Sequence, residues 1–419
     1  MRTAAIVPVA GLSSRMECFK PLMTLNGFSL IQLTVQSALD GGVDEVVVVL
    51  GREGAAVRAS LCNLEGSGQG YDEAGVGADR HITFVENPNF ARTDMLASVQ
   101  QGLRALEAAS AGAHAGGVVQ PAGFTQPTGF TAQPIDALFV LPGDSPAIHP
   151  STFGALRACA ERDPSPLTYP CYQGNEGHPL LIKRACFGAV LGFAGEGGLR
   201  AALSPYERQE VAVDDEGILL DADVPRDFEL LESFIRRTKG VSDELAKKLL
   251  DEAETPQNVR GHCRAVSALV ARMVARLNAL GFCLDSCLCS SGALLHDMCR
   301  VHQQHEQRAA QTLHAEGYTA LARLVEAHGS FFSADPERIT ESLLVCVADK
   351  LVKGTRLVTP DERYAPAMEK FSASDEVGKR IRQDLLHCKR FLARYEALTG
   401  DYLCSGNTGM NDPFCRHGE

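Results

Sequence analysis

Ala4-Ala5-Ile6-Val7-Pro8-Val9-Ala10-Gly11-Leu12-Ser13-Ser14-Arg15 is an apolar run that breaks into small residues and then a cation. Residues 4–9 are too few for a bilayer span and lack helical spacing, so they read as a strand buried on both faces. Two more such strands are Glu45-Val46-Val47-Val48-Val49-Leu50 and Ala137-Leu138-Phe139-Val140-Leu141. Between the first two, Ser29 to Leu39 carries apolar residues at helical spacing. Apolar strands alternating with helices predict an α/β architecture, a mostly parallel sheet covered on both faces.

Outward from this core the texture changes twice. Residues 62–80 are Gly-rich and polar, and 107–135 are rich in Ala, Gly, Thr and Pro. Both predict surface insertions, because such compositions bury too little to order themselves. The near-repeat Gly123-Phe124-Thr125-Gln126-Pro127 and Gly129-Phe130-Thr131-Ala132-Gln133-Pro134 lies in the second and reads as loop. Beyond residue 240 only helical periodicity remains. It runs through Ser242–Glu254, Arg260–Leu280, Ser290–Arg300, His305–Glu316, Tyr318–His328, Thr340–Val352 and Ala367–Leu398. Pro256, Gly281, Gly317 and Pro336 punctuate these helices. The sequence therefore divides into an α/β domain over 1–235, an all-α domain over 242–400 and a frayed tail over 401–419.

Composition narrows the partners. The 419 residues carry 40 basic and 52 acidic side chains, a net charge of −12. That balance argues against a nucleic-acid coat or a polybasic membrane anchor, which need clustered Lys and Arg. No apolar run reaches the roughly 18 residues of a membrane span. The start imitates a secretory signal, yet Pro8 and the direct passage into Ser13-Ser14-Arg15 favour a first strand. The 14 cysteines are scattered through apolar surroundings, which predicts free thiols and a reducing cytoplasmic location.

A small-residue turn after a parallel strand exposes backbone N–H groups at the carboxyl edge of the sheet, where anions bind. Here that turn is Ala10, Gly11, Leu12, Ser13 and Ser14, and Arg15 with Lys20 adds the cations a triphosphate requires. Asp144, in Leu141-Pro142-Gly143-Asp144-Ser145-Pro146, ends the third strand beside that loop and would hold a hard Mg²⁺ against phosphate oxygens. A helix N-cap is the alternative role for that carboxylate.

Together these residues resemble the nucleotidyltransferases of molybdenum-cofactor type, most closely the molybdenum-cofactor cytidylyltransferases. The likeness extends over nearly all of 1–230. Besides the loop and Lys20-Pro21-Leu22, it includes Glu86-Asn87-Pro88 with Asp94 to Val99, Gly177-His178-Pro179, Gly195 to Arg200, and Asp221 to Phe228. It implies a Rossmann-like fold, base and ribose contacts from the stretch holding Asn87 and Ser98, and Mg²⁺ on Asp144 with Asp223. An acceptor phosphate would attack the α-phosphorus of a nucleoside triphosphate while Arg15 and Lys20 neutralise the departing pyrophosphate. Two features depart from the family. Glu17 stands where it has glycine, and Ala10-Gly11-Leu12 replaces the glycine doublet of the guanylyl-transferring branch, which favours CTP.

The helical domain carries His262, the adjacent pair His296-Asp297 and Asp349 on successive helices. Neighbouring residues on a helix point about 100° apart, so His296 and Asp297 face one ion only near a helix end or groove. The series resembles the HD phosphohydrolase superfamily over about 242–360. His305 and His328 fall where its two-metal members place further ligands. The resemblance implies one ion on His262, His296 and Asp349, a second on His305 and His328, and Asp297 bridging. Imidazole with carboxylate suits Mn, Fe, Co or Ni. Arg300 stands where relatives commonly carry lysine and would touch the substrate phosphate; Lys350 and Lys353 could serve likewise, with solvated helix charges as the favoured reading. His302, His314 and His387 fit no ligand position and read as surface residues.

The whole then reads as a cytoplasmic enzyme, a Rossmann-like nucleotidyltransferase fused to an all-α HD phosphohydrolase. Its expected partners are a nucleoside triphosphate, a small phosphorylated acceptor such as molybdenum cofactor, and a molybdoenzyme receiving the product, with no nucleic acid and no membrane. Two other readings stay open. The acceptor could be a sugar or alcohol phosphate, or the first domain could deliver a cofactor while only the HD domain is catalytic.

Overall fold

The computed structural model describes residues 1–9, 19–66, 81–90, 94–112, 133–221, 225–329, 338–371 and 375–403, without the side chains of 63–66, 112 and 225. The expected phosphate loop from Ala10 to Arg15, together with Glu17 and Asp223, lies outside the described residues, as does most of the 123–134 repeat. The chain forms two compact units, Met1–Ile235 and Arg236–Glu419.

The first unit begins with β1 (Thr3–Pro8), the hairpin β2 (Thr24–Leu25) and β3 (Phe28–Ser29), α1 (Leu30–Asp40), β4 (Glu45–Leu50) and α2 (Gly54–Gly66). It continues through β5 (His81–Glu86), α3 (Met95–Gly112), β6 (Ala137–Val140), α4 (Pro150–Arg162), β7 (Leu167–Tyr172), β8 (Asn175–Glu176) and β9 (Leu180–Lys183). It closes with α5 (Phe187–Gly192), α6 (Gly198–Leu203), β10 (Arg208–Ala212) and α7 (Pro225–Thr238). The sheet has eight strands in the order β10-β7-β9-β6-β1-β4-β5, with β8 on β7. β1 pairs in parallel with β4, Ala5 opposite Val46, and with β6, Ala5 opposite Phe139. β9 enters antiparallel to β6 and β7, which makes the sheet mixed.

Alternate residues explain why the central strands are apolar throughout. Ala5 and Val7 of β1 join Val46 and Val48 in one core, while Ala4 and Ile6 join Val47 and Val49 in another. Two cores on opposite faces of one strand require both residue sets to be buried. Each fully buried Ile or Val contributes roughly 1.5–3 kcal/mol. Ser29 starts α1 through a capping box: its hydroxyl accepts from Gln32 N at 3.3 Å, and Gln32 Oε1 accepts from Ser29 N at 2.8 Å.

Several strands were not legible beforehand. β5, β7, β8, β9 and β10 are absent from the sequence reading, and the last three are short or exposed. β7 contains Pro170, a residue that argues against a ladder strand. The expected insertions also start later, since α2 continues to Gly66 and α3 to Gly112. The rest of those segments lies outside the described residues apart from Gln133, Pro134 and Ile135.

In the second unit the helices are α8 (Asp243–Glu252), α9 (Gln257–Ala279), α10 (Ser286–Leu295), α11 (His305–Ala315), α12 (Thr319–Ala327), α13 (Glu341–Leu351), α14 (Pro360–Lys370) and α15 (Glu376–Thr399). A small hairpin, β11 (Val352–Lys353) and β12 (Arg356–Leu357), interrupts them. Val266, Val270 and Met273 of α9 pack with Leu344 and Val347 of α13 and with Phe391 and Tyr395 of α15. The single helix expected over Ala367–Leu398 is two helices, α14 ending with extended Phe371 and α15 starting after Asp375. The frayed tail also begins later than expected. Asp401 is buried, accepts from Tyr395 Oη at 2.7 Å and from the Arg272 guanidinium, and Leu403 lies in the core. Residues 404–419 lie outside the described residues.

Candidate functional site

In the first unit the relevant groups gather where β1 parts from its two neighbours. The connections from β1 lead to β4 on one side and later to β6 on the other, the strand-order reversal past whose carboxyl ends sheets of this kind bind ligands. Lys20 follows there in a short turn and is largely buried, its Nζ 3.7 Å from Asp144 Oδ2. Asp144 follows β6 with its carboxylate partly open to solvent. Gly143 permits that approach, because a Cβ on it would stand 2.4 Å from Val9 Cγ1. His178 is hemmed in by protein yet open to solvent; burial lowers its pKa, while the Asp144 carboxylate works the other way.

Asn87 and Ser98 are both buried and bonded to each other, Asn87 Nδ2 donating to Ser98 Oγ at 3.2 Å. Asn87 Oδ1 also accepts from Asn89 N at 3.1 Å. These contacts tie the end of β5 to the start of α3. The Gly195–Arg200 stretch comes close as well: a Cβ on Gly198 would lie 3.5 Å from Asp94 Oδ2. Asp94 caps α3, accepting from Ala97 N at 3.0 Å.

The second unit converges on one point. His262 lies on α9, His296 and Asp297 follow the last residue of α10, His305 opens α11, His328 follows α12 and Asp349 lies near the end of α13. α10 ends at Leu295, and His296, still right-handed helical in its backbone (φ −54°, ψ −36°), caps it, so the adjacent pair sits at the helix end with His296 Nε2 3.7 Å from Asp297 Oδ2. Ring centroids of His262 and His296 are 5.3 Å apart, and those of His296 and His328 are 4.9 Å apart.

One device orients three of the imidazoles. Nδ1 of His296 faces the Ala293 carbonyl at 2.7 Å, Nδ1 of His328 that of Val325 at 2.5 Å, and Nδ1 of His262 that of Gly354 at 3.0 Å. The first two carbonyls belong to helix ends, whose last C=O groups lack partners within the helix. A carbonyl only accepts, so Nδ1 carries a proton and Nε2 is the ring atom turned inward. Those Nε2 atoms meet the carboxylates: His262 to Asp349 Oδ1 at 3.0 Å, His296 to Asp349 Oδ1 at 3.7 Å, and His328 to Asp297 Oδ1 at 3.7 Å. His305 Nε2 lies 3.0 Å from Asp297 Oδ1, and its Nδ1 is 3.3 Å from Glu306 Oε2.

Metal ions fit this donor set. His296 Nε2 is fully buried without a hydrogen-bond partner, a state that costs about 1–3 kcal/mol unless something accepts its lone pair. Three overlapping groups of ligand atoms are close enough to hold an ion: His262-His296-Asp349, His296-Asp297-His328 and His305-Glu306-His328. Both carboxylates stay ionised. Burial pushes Asp297 up, but His328, His296 and Arg300 outweigh it and hold the group below the usual range. Burial likewise opposes ionisation of Asp349, and Lys350, His262 and His296 hold it well below.

Two residues of this cluster, Glu306 and Arg363, were not recognised from sequence, and a third, Lys350, was read first as a solvated charge. Glu306 completes the third ligand group; its position beside His305 was the only available signal. Lys350 is no solvated helix charge: its ammonium lies 2.7 Å from Asp349 Oδ2, which raises its pKa against the opposing effect of burial. Arg363 of α14 comes within 3.9 Å of Asp349 Oδ1. Lys353, by contrast, is exposed, and so are His302 and His314, while His387 is half-buried. Arg300 donates to Asp297 Oδ1 at 3.2 Å and stands 2.9 Å from His305 Nε2.

All eleven cysteines among the described residues are free thiols. No helix among the described residues is long and apolar enough to cross a membrane.

Comparison with known proteins places two families along the chain. A MobA-like NTP transferase domain matches residues 5–211, and an HD domain matches residues 259–354. The chain is similar to the molybdenum cofactor cytidylyltransferase of Escherichia coli (strain K12), 22% identical over 223 residues, which are 53% of this chain and 92% of that protein. Among solved structures, Rv0371c of Mycobacterium tuberculosis H37Rv is 20% identical with a TM-score of 0.39, covering 55% of this chain and 98% of that one. A nucleotidyl transferase from Methanothermobacter thermautotroptrophicus is 23% identical with a TM-score of 0.39, over 56% and 98%. The protein is a nucleotidyltransferase with a fused HD domain, its first part a MobA-like NTP transferase domain.

Proposed function

We propose that residues 1–235 transfer a cytidylyl group from CTP to a phosphorylated acceptor, the molybdenum cofactor, and that residues 242–400 form a metal-dependent phosphohydrolase. The transferase reading is carried by the buried ammonium of Lys20 3.7 Å from the Asp144 carboxylate, past the carboxyl ends of β1 and β6. In the transfer an acceptor phosphate oxygen bonds to the α-phosphorus, the bond to the β-phosphate oxygen breaks, and pyrophosphate leaves. Asp144, with Asp223, would hold Mg²⁺, which supplies charge compensation between acceptor and α-phosphate. Lys20 and Arg15 stabilise the charge gathering on pyrophosphate, and the segment from Ala10 to Ser14 offers backbone N–H donors. Asn87 and Ser98 fix the wall of the nucleotide pocket. The molybdenum-cofactor acceptor rests on the 22% identical relative and on the resemblance of the motifs.

In the second unit, His262, His296 and Asp349 would hold one ion, His305 and His328 the other, and Asp297 would bridge. Such ions polarise a phosphoryl oxygen and stabilise the leaving oxygen of a phosphate ester. The chain's own part is orientation. Backbone carbonyls fix the imidazoles, and Arg300 directs its remaining donors toward substrate.

The experiment is pyrophosphate release from CTP, GTP, ATP and UTP with Mg²⁺, with and without molybdenum cofactor. Release from CTP that requires the cofactor is the expected result. Asp144→Asn should lower that rate by about 10²–10³ with unchanged circular dichroism, as loss of one transition-state charge contact does. Release of pyrophosphate on adding a sugar phosphate, and none with the cofactor, would move the reading to another acceptor.

A further inference from the structure

Arg363 lies on α14, past the residues 259–354 matched by the HD domain, yet its guanidinium comes to 3.9 Å from Asp349 Oδ1. Among the described residues no acceptor is within hydrogen-bonding distance of that guanidinium, and its side chain is 30% exposed. Asp349 Oδ1 is also the oxygen that faces His262 and His296 Nε2, so Arg363 and the candidate ion-binding atoms share this one carboxylate oxygen. Asp349 Oδ2, on the other side of the carboxylate, is occupied by Lys350. A planar fork of N–H donors, paired among the described residues only with Asp349 at 3.9 Å and partly open to water beside the candidate metal ligands, is matched to a phosphate or carboxylate anion.

The charges around the cluster narrow the class of anion. Asp297, Asp349 and Glu306 are offset one for one by Arg300, Lys350 and Arg363. Asp384, whose field reaches Lys350, is offset in turn by Arg380. Two divalent ions would therefore leave an excess of about four positive charges for the substrate to meet. A phosphodiester brings a single negative charge and two non-bridging oxygens. A terminal phosphate brings two charges and three oxygens, enough to reach the ions and a guanidinium together.

We infer that Arg363 is a substrate-binding residue of the HD unit and that this unit takes a dianionic terminal phosphate, a phosphomonoester or pyrophosphate, rather than a diester. The inference rests on the hydrolase reading above and adds its substrate class. In the reaction a water oxygen bonds to phosphorus, the bridging P–O bond breaks, and the leaving oxygen receives the proton that the water gives up. Arg363 holds two terminal oxygens during this exchange.

The test uses the full chain loaded with Mn²⁺. Inorganic phosphate binding is followed by calorimetry, bound metal by mass spectrometry, and hydrolysis with pyrophosphate, a nucleoside monophosphate and bis(p-nitrophenyl) phosphate. Arg363→Ala should weaken phosphate binding about 10- to 100-fold, the effect of losing one charged hydrogen-bonding partner, with metal content unchanged. Hydrolysis of the two terminal phosphates should fall in parallel, diester cleavage should change little, and Arg363→Lys should recover part of the loss. Whichever of pyrophosphate and the monophosphate is cleaved faster identifies the source of the anion. Unchanged phosphate affinity in Arg363→Ala, or wild-type cleavage of the diester as fast as of either terminal phosphate, overturns the inference. A wild-type chain that binds metal but cleaves none of the three overturns the hydrolase reading, and this inference falls with it.

Discussion

His296 shows how much chemistry one residue position can hold. Its Nδ1 proton is committed to the Ala293 carbonyl, and its Nε2 is sealed from water with nothing to bond. Replacing it with alanine removes a ligand from two of the three donor groups. His296→Ala should therefore lose bound Mn²⁺, read as metal per chain after dialysis, whereas exposed His302→Ala should keep the wild-type content with stability within about 0.5 kcal/mol. Equal metal content in both variants would refute the ligand set. Sequence carried these residues in the right order along the chain, but not their second contacts. Glu306 and Arg363 stayed unrecognised because a charged residue on a polar helix face looks alike whether it meets solvent or a neighbouring carboxylate.

At the scale of the element, what matters is where helices and strands stop. α10 ends at Leu295 with His296, still helical in its backbone, as its cap, and this places the adjacent His and Asp at a helix end, where one centre can reach both. Its start at Ser286 is set by Asp285, whose side chain accepts from Leu288 N at 2.8 Å. In the first unit, Gly177 lies where β8 leads back toward β9. A Cβ there would meet the Ile218 carbonyl oxygen at 2.4 Å, the same oxygen that accepts from His178 N at 3.0 Å. Backbone cannot move aside as a side-chain end does, so Gly177→Ala should destabilise the first unit by about 1–3 kcal/mol. Gly188→Ala, with nothing within 4 Å of the added carbon in helix α5, should be neutral or gain up to about 1 kcal/mol. Urea unfolding followed by circular dichroism compares the two, and equal midpoints would contradict the close approach.

For the molecule as a whole, the two units have separate hydrophobic cores. Ions bound only by the folded second unit stabilise it by mass action, about 2.7 kcal/mol at a hundred times Kd. Calorimetric scans should then show chelator lowering the transition that belongs to residues 236–419 and leaving the other in place. A scan unaffected by chelator would count against resident metal.

Sequence alone determined the β/α alternation of the first unit, the helical character of the second and the order of its histidines and aspartates, since periodicity and composition are local properties of a chain. It did not determine the antiparallel entry of β9 between β6 and β7, or that Pro170 lies in a strand. Nor did it determine that His262 and Asp349, 87 residues apart, would come to 3.0 Å. Those facts depend on which faces find each other once the apolar surfaces are buried. That choice is made by the packing of the whole unit rather than by any window of its sequence.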